Sequence, residues 1–181
     1  FNDNVNISNS TSLASISDSD QITIMGWIYL NINPTDWMGI INRGHEFGIL
    51  TEGDSRGLSM SVPINGVRQK IDSNTSNSEM VGKWTHTAFT YNGLTGDAKM
   101  YFNGKLNVST ILAVGNIDTN MTTHLYIGDN DGIGNGVESH SWNGSIDEVA
   151  IFNRTLNASE IQKIYQYGAG IYKKNHTFST L

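Results

Sequence analysis

The 181-residue sequence contains no cysteine. Disulfides and thiolate metal sites are therefore excluded. Charged residues are scarce at 15% and hydrophobic residues reach only 38%; Asn, Ser, Thr and Gly fill the gap. Eleven Lys and Arg against seventeen Asp and Glu give a net charge of −6, and the basic residues are scattered. Nucleic-acid binding needs a basic face, so no nucleic-acid partner is expected. Attraction to an anionic membrane surface is disfavoured for the same reason. No apolar run approaches the length of a bilayer span, so direct membrane insertion is not expected either. The chain starts at Phe1 without a signal-like segment, which reads as a mature protein or an excised domain. Its length suits one all-β domain with a real core.

What the sequence has in excess is Asn-x-Ser/Thr. Nine sequons begin at Asn6, Asn9, Asn74, Asn107, Asn120, Asn143, Asn153, Asn157 and Asn175, where composition alone predicts about four. This excess points to an N-glycosylated, extracellular or cell-surface protein. Sequons without cysteine fit an archaeal or bacterial surface protein better than a eukaryotic secreted one, in which disulfides are usual.

Short alternating segments separated by turn residues run through the chain. Gln21–Leu30 puts Ile22, Ile24, Ile28 and Leu30 on one face. Trp84–Tyr91 alternates as cleanly. Asn65-Gly66 and Asn103-Gly104 are hairpin turns, since both central residues of a type I′ turn need positive φ. Further strands are expected at Val5–Ile7, Trp37–Asn42, Phe47–Thr51, Gly57–Val62, Gly66–Ile71 and Thr123–Gly128. Near the end, Ser145–Phe152 alternates as a strand. Asn157 and Glu160 then form a capping box, with Leu156 and Ile161 as a hydrophobic staple. Gly168 is expected to end that helix. About ten strands with frequent turns predict a sandwich or barrel.

Several stretches, in order, resemble the laminin-G-like jelly-roll modules of the concanavalin A-like lectin/glucanase group, especially the prokaryotic type. They are Phe1-Asn2-Asp3, Ile22-Thr23-Ile24-Met25-Gly26-Trp27-Ile28, Lys83-Trp84-Thr85-His86-Thr87-Ala88-Phe89-Thr90-Tyr91, Lys99-Met100-Tyr101-Phe102-Asn103-Gly104-Lys105-Leu106, Leu125-Tyr126-Ile127-Gly128 and Trp142-Asn143-Gly144-Ser145-Ile146-Asp147-Glu148-Val149. The resemblance implies an all-β, two-sheet antiparallel jelly-roll sandwich with one short C-terminal helix. It covers residues 1–168 and leaves 169–181 as a tail, an extra strand or a linker.

The resemblance also frames the chemistry. Related glucanases alternate acidic residues along one strand; no strand does so here. Asp147 and Glu148 are adjacent, so regular pleating would send them to opposite faces, and no catalytic residue is assigned. Many relatives hold a structural calcium, and Asp3 and Asp147 match such positions. Asp129 and Asp131, in Asp129-Asn130-Asp131-Gly132, resemble the start of a calcium loop but lack its distant Glu. The five His show no zinc spacing. For sugar binding, Trp37 and His45, beside the Asp129–His140 loop, are the candidates for ring stacking and hydrogen bonding. The leading expectation is a non-catalytic extracellular module of a glycosylated surface or filament protein, acting in adhesion or assembly. Its partners would be glycans or neighbouring surface-protein subunits. The alternative is a calcium-dependent carbohydrate-binding module of a larger enzyme or adhesin.

Overall fold

The structure is a computed structural model describing residues 4–8, 10–16, 19–43, 47–53, 56–118, 124–129 and 141–174. Eleven strands are described: β1 (Val5–Ile7), β2 (Gln21–Leu30), β3 (Gly39–Arg43), β4 (Phe47–Glu52), β5 (Gly57–Ile64), β6 (Val67–Asp72), β7 (Trp84–Asn92), β8 (Asp97–Phe102), β9 (Lys105–Ile111), β10 (Leu125–Ile127) and β11 (Gly144–Phe152). A short helix α1 (Thr11–Ala14) precedes β2, and α2 (Ala158–Lys174) closes the described chain.

The strands form two antiparallel sheets, ordered β1-β10-β3-β4-β5-β6 and β11-β2-β7-β8-β9. This is the expected jelly-roll sandwich. The alternation read from β2 explains the packing. Ile22, Ile24 and Ile28 meet Phe89, Met100 and, from the other sheet, Ile41, Phe47, Ile49, Met60 and Val62 in one buried core. Each such side chain contributes about 1.5–3 kcal/mol on burial. Asn65 and Gly66, at φ 52° and 74°, and Asn103 and Gly104, at 50° and 74°, make both expected hairpin turns.

The other face of β2 is buried too, because α2 lies on it. Met25, Ala88 and Tyr101 pack with Leu156 and Ile161, and Trp27 packs with Ala169, Trp84 and Tyr165. The capping box is present: Asn157 Oδ1 accepts from the backbone N–H of Glu160 at 3.0 Å, and Glu160 Oε2 accepts from Asn157 N–H at 2.8 Å.

Two expectations fail. The helix does not stop at Gly168 but runs through it to Lys174, so residues 169–174 are helix and not an added strand. Gly168 is there for contact: a Cβ on it would stand 2.5 Å from Trp27 Nε1. The second failure is the alternation of β11. Asp147 pairs with Trp27 but Ala150 with Met25, so one extra residue is inserted between them. Glu148 takes it up at φ 47°. In such a bulge a residue leaves the ladder and the phase of the side chains shifts. Ile146, Val149 and Ile151 consequently share the core side, while Ala150 and Phe152 pack under the helix.

Candidate functional site

The two outer faces differ. That of the five-stranded sheet is closed by α2. The outer face of the six-stranded sheet has no helix on it among the described residues. Strand register sets one row across all six strands: Asn6, Tyr126, Asn42, Gly48, Ser61 and Lys70. These positions alternate with core residues such as Ile41, Ile49 and Met60, so the row points away from the core. Its middle is closed, with Asn42 and Ser61 buried, while Asn6 and Lys70 at its ends are exposed and Tyr126 is half-buried. A Cβ on Gly48 would lie 2.8 Å from Asn42 Oδ1, so glycine makes room for that amide.

At one end of the row His124 stacks on Tyr126 with ring centroids 6.3 Å apart. Its Nδ1 lies 2.7 Å from Asn6 Oδ1. At the other end Lys70 Nζ is 2.6 Å from Glu52 Oε1 and 3.2 Å from Asp72 Oδ1. Burial opposes the charge on Lys70, but the hydrogen bonds and charges of Glu52 and Asp72 outweigh it and raise its pKa. Glu52 and Asp72 are thus two carboxylates held against one ammonium group. Lys70 bridges them, so their charge is committed to an ion pair. Neither carboxylate was singled out from sequence: twenty residues separate them, and only the β4-β5-β6 pairing brings them together.

Trp37 is 46% exposed. It precedes β3 at the sheet end where Gly128 donates to Ile40 O, so Trp37 and Asp129 come to the same end of the sheet. Arg43 and Phe47, the nearest described residues on either side of His45, are at the other end of β3; His45 itself lies outside the described residues. Asp129 is buried and its Oδ2 accepts from Asn4 Nδ2 at 2.8 Å. Asp3 and Asp131 also lie outside the described residues. Asp147 Oδ1 accepts from the backbone N–H of Glu148 at 2.7 Å, which fastens the bulge. Asp147 pairs with Trp27 on the helix side of the sheet. Glu148 Oε2 lies 3.1 Å from the position of a Cβ on Gly168. Both carboxylates therefore lie on the helix side, and their expected separation to opposite faces is corrected: the bulge breaks the pleat. Among the described residues no three His, Asp or Glu side chains converge as a metal cluster. Asp129 follows β10 of the six-stranded sheet, and Asp147 lies on β11 of the five-stranded sheet.

Of the sequon asparagines, Asn6, Asn74, Asn143, Asn153 and Asn157 are exposed and Asn107 is half-buried. Asn9, Asn120 and Asn175 lie outside the described residues. A cleft of about 150 Å³ opens between the sheet edges, lined by Val5, Ile127, Gly128, Trp142, Gly144 and Ile146.

Residues 2–162 match the family described as the concanavalin A-like lectin/glucanases superfamily. The chain belongs to that superfamily. Solved structures that resemble it include the heptameric SAP-like pentraxin of Limulus polyphemus, at TM-score 0.61 and 18% identity over 81% of this chain and 70% of that one. A putative carbohydrate binding protein from Bacteroides ovatus aligns at TM-score 0.65 and 17% identity, over 80% of this chain and 40% of the other. A structure of botulinum neurotoxin type C, whose cell entry depends on two ganglioside molecules, aligns at 0.65 and 17%, over 91% and 39%. The chain thus spans about two fifths of the latter two proteins. At these identities the likeness is one of fold. No curated protein matches the chain.

Proposed function

We propose that the protein is a non-catalytic extracellular module that binds carbohydrate on the outer face of its six-stranded sheet and serves adhesion or assembly at a cell surface. The observation that carries this reading is the row from Asn6 to Lys70. Its exposed ends offer the Asn6 amide and the Lys70 ammonium to sugar hydroxyls, with the Tyr126–His124 stack beside Asn6 for the apolar face of a ring. Its exposed ends are where a glycan would dock. Structural neighbours described as a putative carbohydrate binding protein and as a neurotoxin whose cell entry depends on gangliosides are consistent with this chemistry. The bridging of Glu52 and Asp72 by Lys70 supports binding over hydrolysis, which needs one carboxyl free to give up a proton.

A glycan array probed with the wild type and with Tyr126→Ala tests the proposal. Wild type should give discrete signals, and Tyr126→Ala, with unchanged melting, should lose them. A blank array with folded wild-type protein would overturn the reading. Hydrolysis of an arrayed glycan that stopped in Asp72→Asn would show that the face is catalytic.

A further inference from the structure

We infer that N-linked sugars are carried on one lateral side of the sandwich, at Asn143, Asn153 and Asn157, while Asn74 and Asn107 on the opposite side stay unmodified. The inference rests on the extracellular placement proposed above and does not depend on the binding face.

Modification joins the side-chain amide nitrogen to C1 of a sugar carried on a lipid diphosphate. The C–N bond forms, the bond from C1 to the diphosphate oxygen breaks, the amide gives up one proton and the lipid diphosphate leaves. No electrons change hands. The amide nitrogen must therefore be reachable. That of Asn74 donates to Asn107 O at 3.1 Å, and that of Asn107 donates to Thr75 Oγ1 at 2.7 Å. Asn107 Oδ1 in turn accepts from the backbone N–H of Asn74 at 2.8 Å. These two asparagines interlock the segment after β6 with β9, and a sugar on either nitrogen would have to fit between them.

Three others are arranged differently. Asn157 uses its oxygen for the cap, accepting from the N–H groups of Ser159 and Glu160. Asn143 Oδ1 accepts from Asn31 Nδ2 at 3.1 Å. Asn153 takes part through its backbone carbonyl, which accepts from Ser19 Oγ. All three are exposed, and oxygen-only use leaves each amide nitrogen open to solvent.

The three open sequons also share a location. Asn143 and Asn153 stand immediately before and after the edge strand β11, and Asn157 caps α2. Edge strands expose unpaired backbone groups that invite pairing with another chain. Sugars at both ends of β11 would block that pairing. On the opposite side the Asn74–Asn107 lock covers part of the β9 edge. One residue type thus protects one side through its oxygen and an added sugar, and the other through its own hydrogen bonds.

Site-resolved glycopeptide mass spectrometry of native protein from its source tests this. Sugar is expected on Asn143, Asn153 and Asn157, with the peptides holding Asn74 and Asn107 unmodified. Sugar on Asn74 or Asn107 at levels equal to the β11 side overturns the sorting. Unmodified peptide at all five positions overturns both the modification and the support it lends to an extracellular setting, and leaves the array result to stand or fall separately.

Discussion

Acid should loosen the domain through His86. This side chain is 1% exposed, faces Trp27 with ring centroids 5.4 Å apart and Tyr165 at 6.0 Å, and its Nδ1 has no hydrogen-bond partner. Burial pushes its pKa from 6.5 down to about 4, because an imidazolium there would lose its hydration without gaining a partner. The unfolded chain takes up the proton near pH 6.5, well before the folded one. Stability from this group is thus complete above pH 6.5 and is lost as the pH falls toward 4. At 1.36 kcal/mol per pKa unit, acidification from pH 7.5 to 4.5 should cost about 2.5 kcal/mol through His86 alone. Urea unfolding of wild type and His86→Phe, followed by tryptophan fluorescence at both pH values, isolates it, because carboxylate contributions are common to the two proteins. Phe keeps the ring contacts and cannot be protonated. It should be within about 1.5 kcal/mol of wild type at pH 7.5, as for other near-isosteric core swaps. At pH 4.5 it should have lost less stability than wild type, by that 2.5 kcal/mol. Parallel losses in the two proteins would refute the argument.

Three further outcomes follow from the same geometry. Gly168→Ala would gain about 1 kcal/mol in an ordinary helix interior, but here its Cβ meets Trp27, so a net loss of about 1–2 kcal/mol and a lower Tm are expected. Asn157→Ala removes the acceptor at the start of α2 and should cost about 1 kcal/mol in urea unfolding. If calcium binds through Asp3 with Asp147, or Asp129 with Asp131, then millimolar calcium should raise the Tm and chelator should reverse it; an unchanged Tm would overturn the calcium expected from the family resemblance.

Much of the fold was legible because it is written in local patterns. The whole of β2, the two Asn-Gly turns and the Asn157–Glu160 box each depend on residues within one or two turns of chain. Their structural outcomes follow from pleat, positive φ and orphan helix donors. The site was less legible. Trp37 and Asp129 were named and do share a sheet end, but the row from Asn6 to Lys70 draws on six strands, and no spacing in sequence announces it.

The sequence by itself determined that the chain alternates into an antiparallel sandwich, where it turns, and where its closing helix begins, since burial on two faces and backbone sterics act residue by residue. Tertiary contact decided the rest. The ring of Trp27 turned Gly168 from a stop signal into a seat for the helix. The bulge at Glu148 placed two carboxylates on one side of a strand that regular pleating would have split. The register of β4, β5 and β6 set Lys70 between Glu52 and Asp72. Each of these depends on which distant segments lie side by side, and that is fixed only when the two sheets close on their common core.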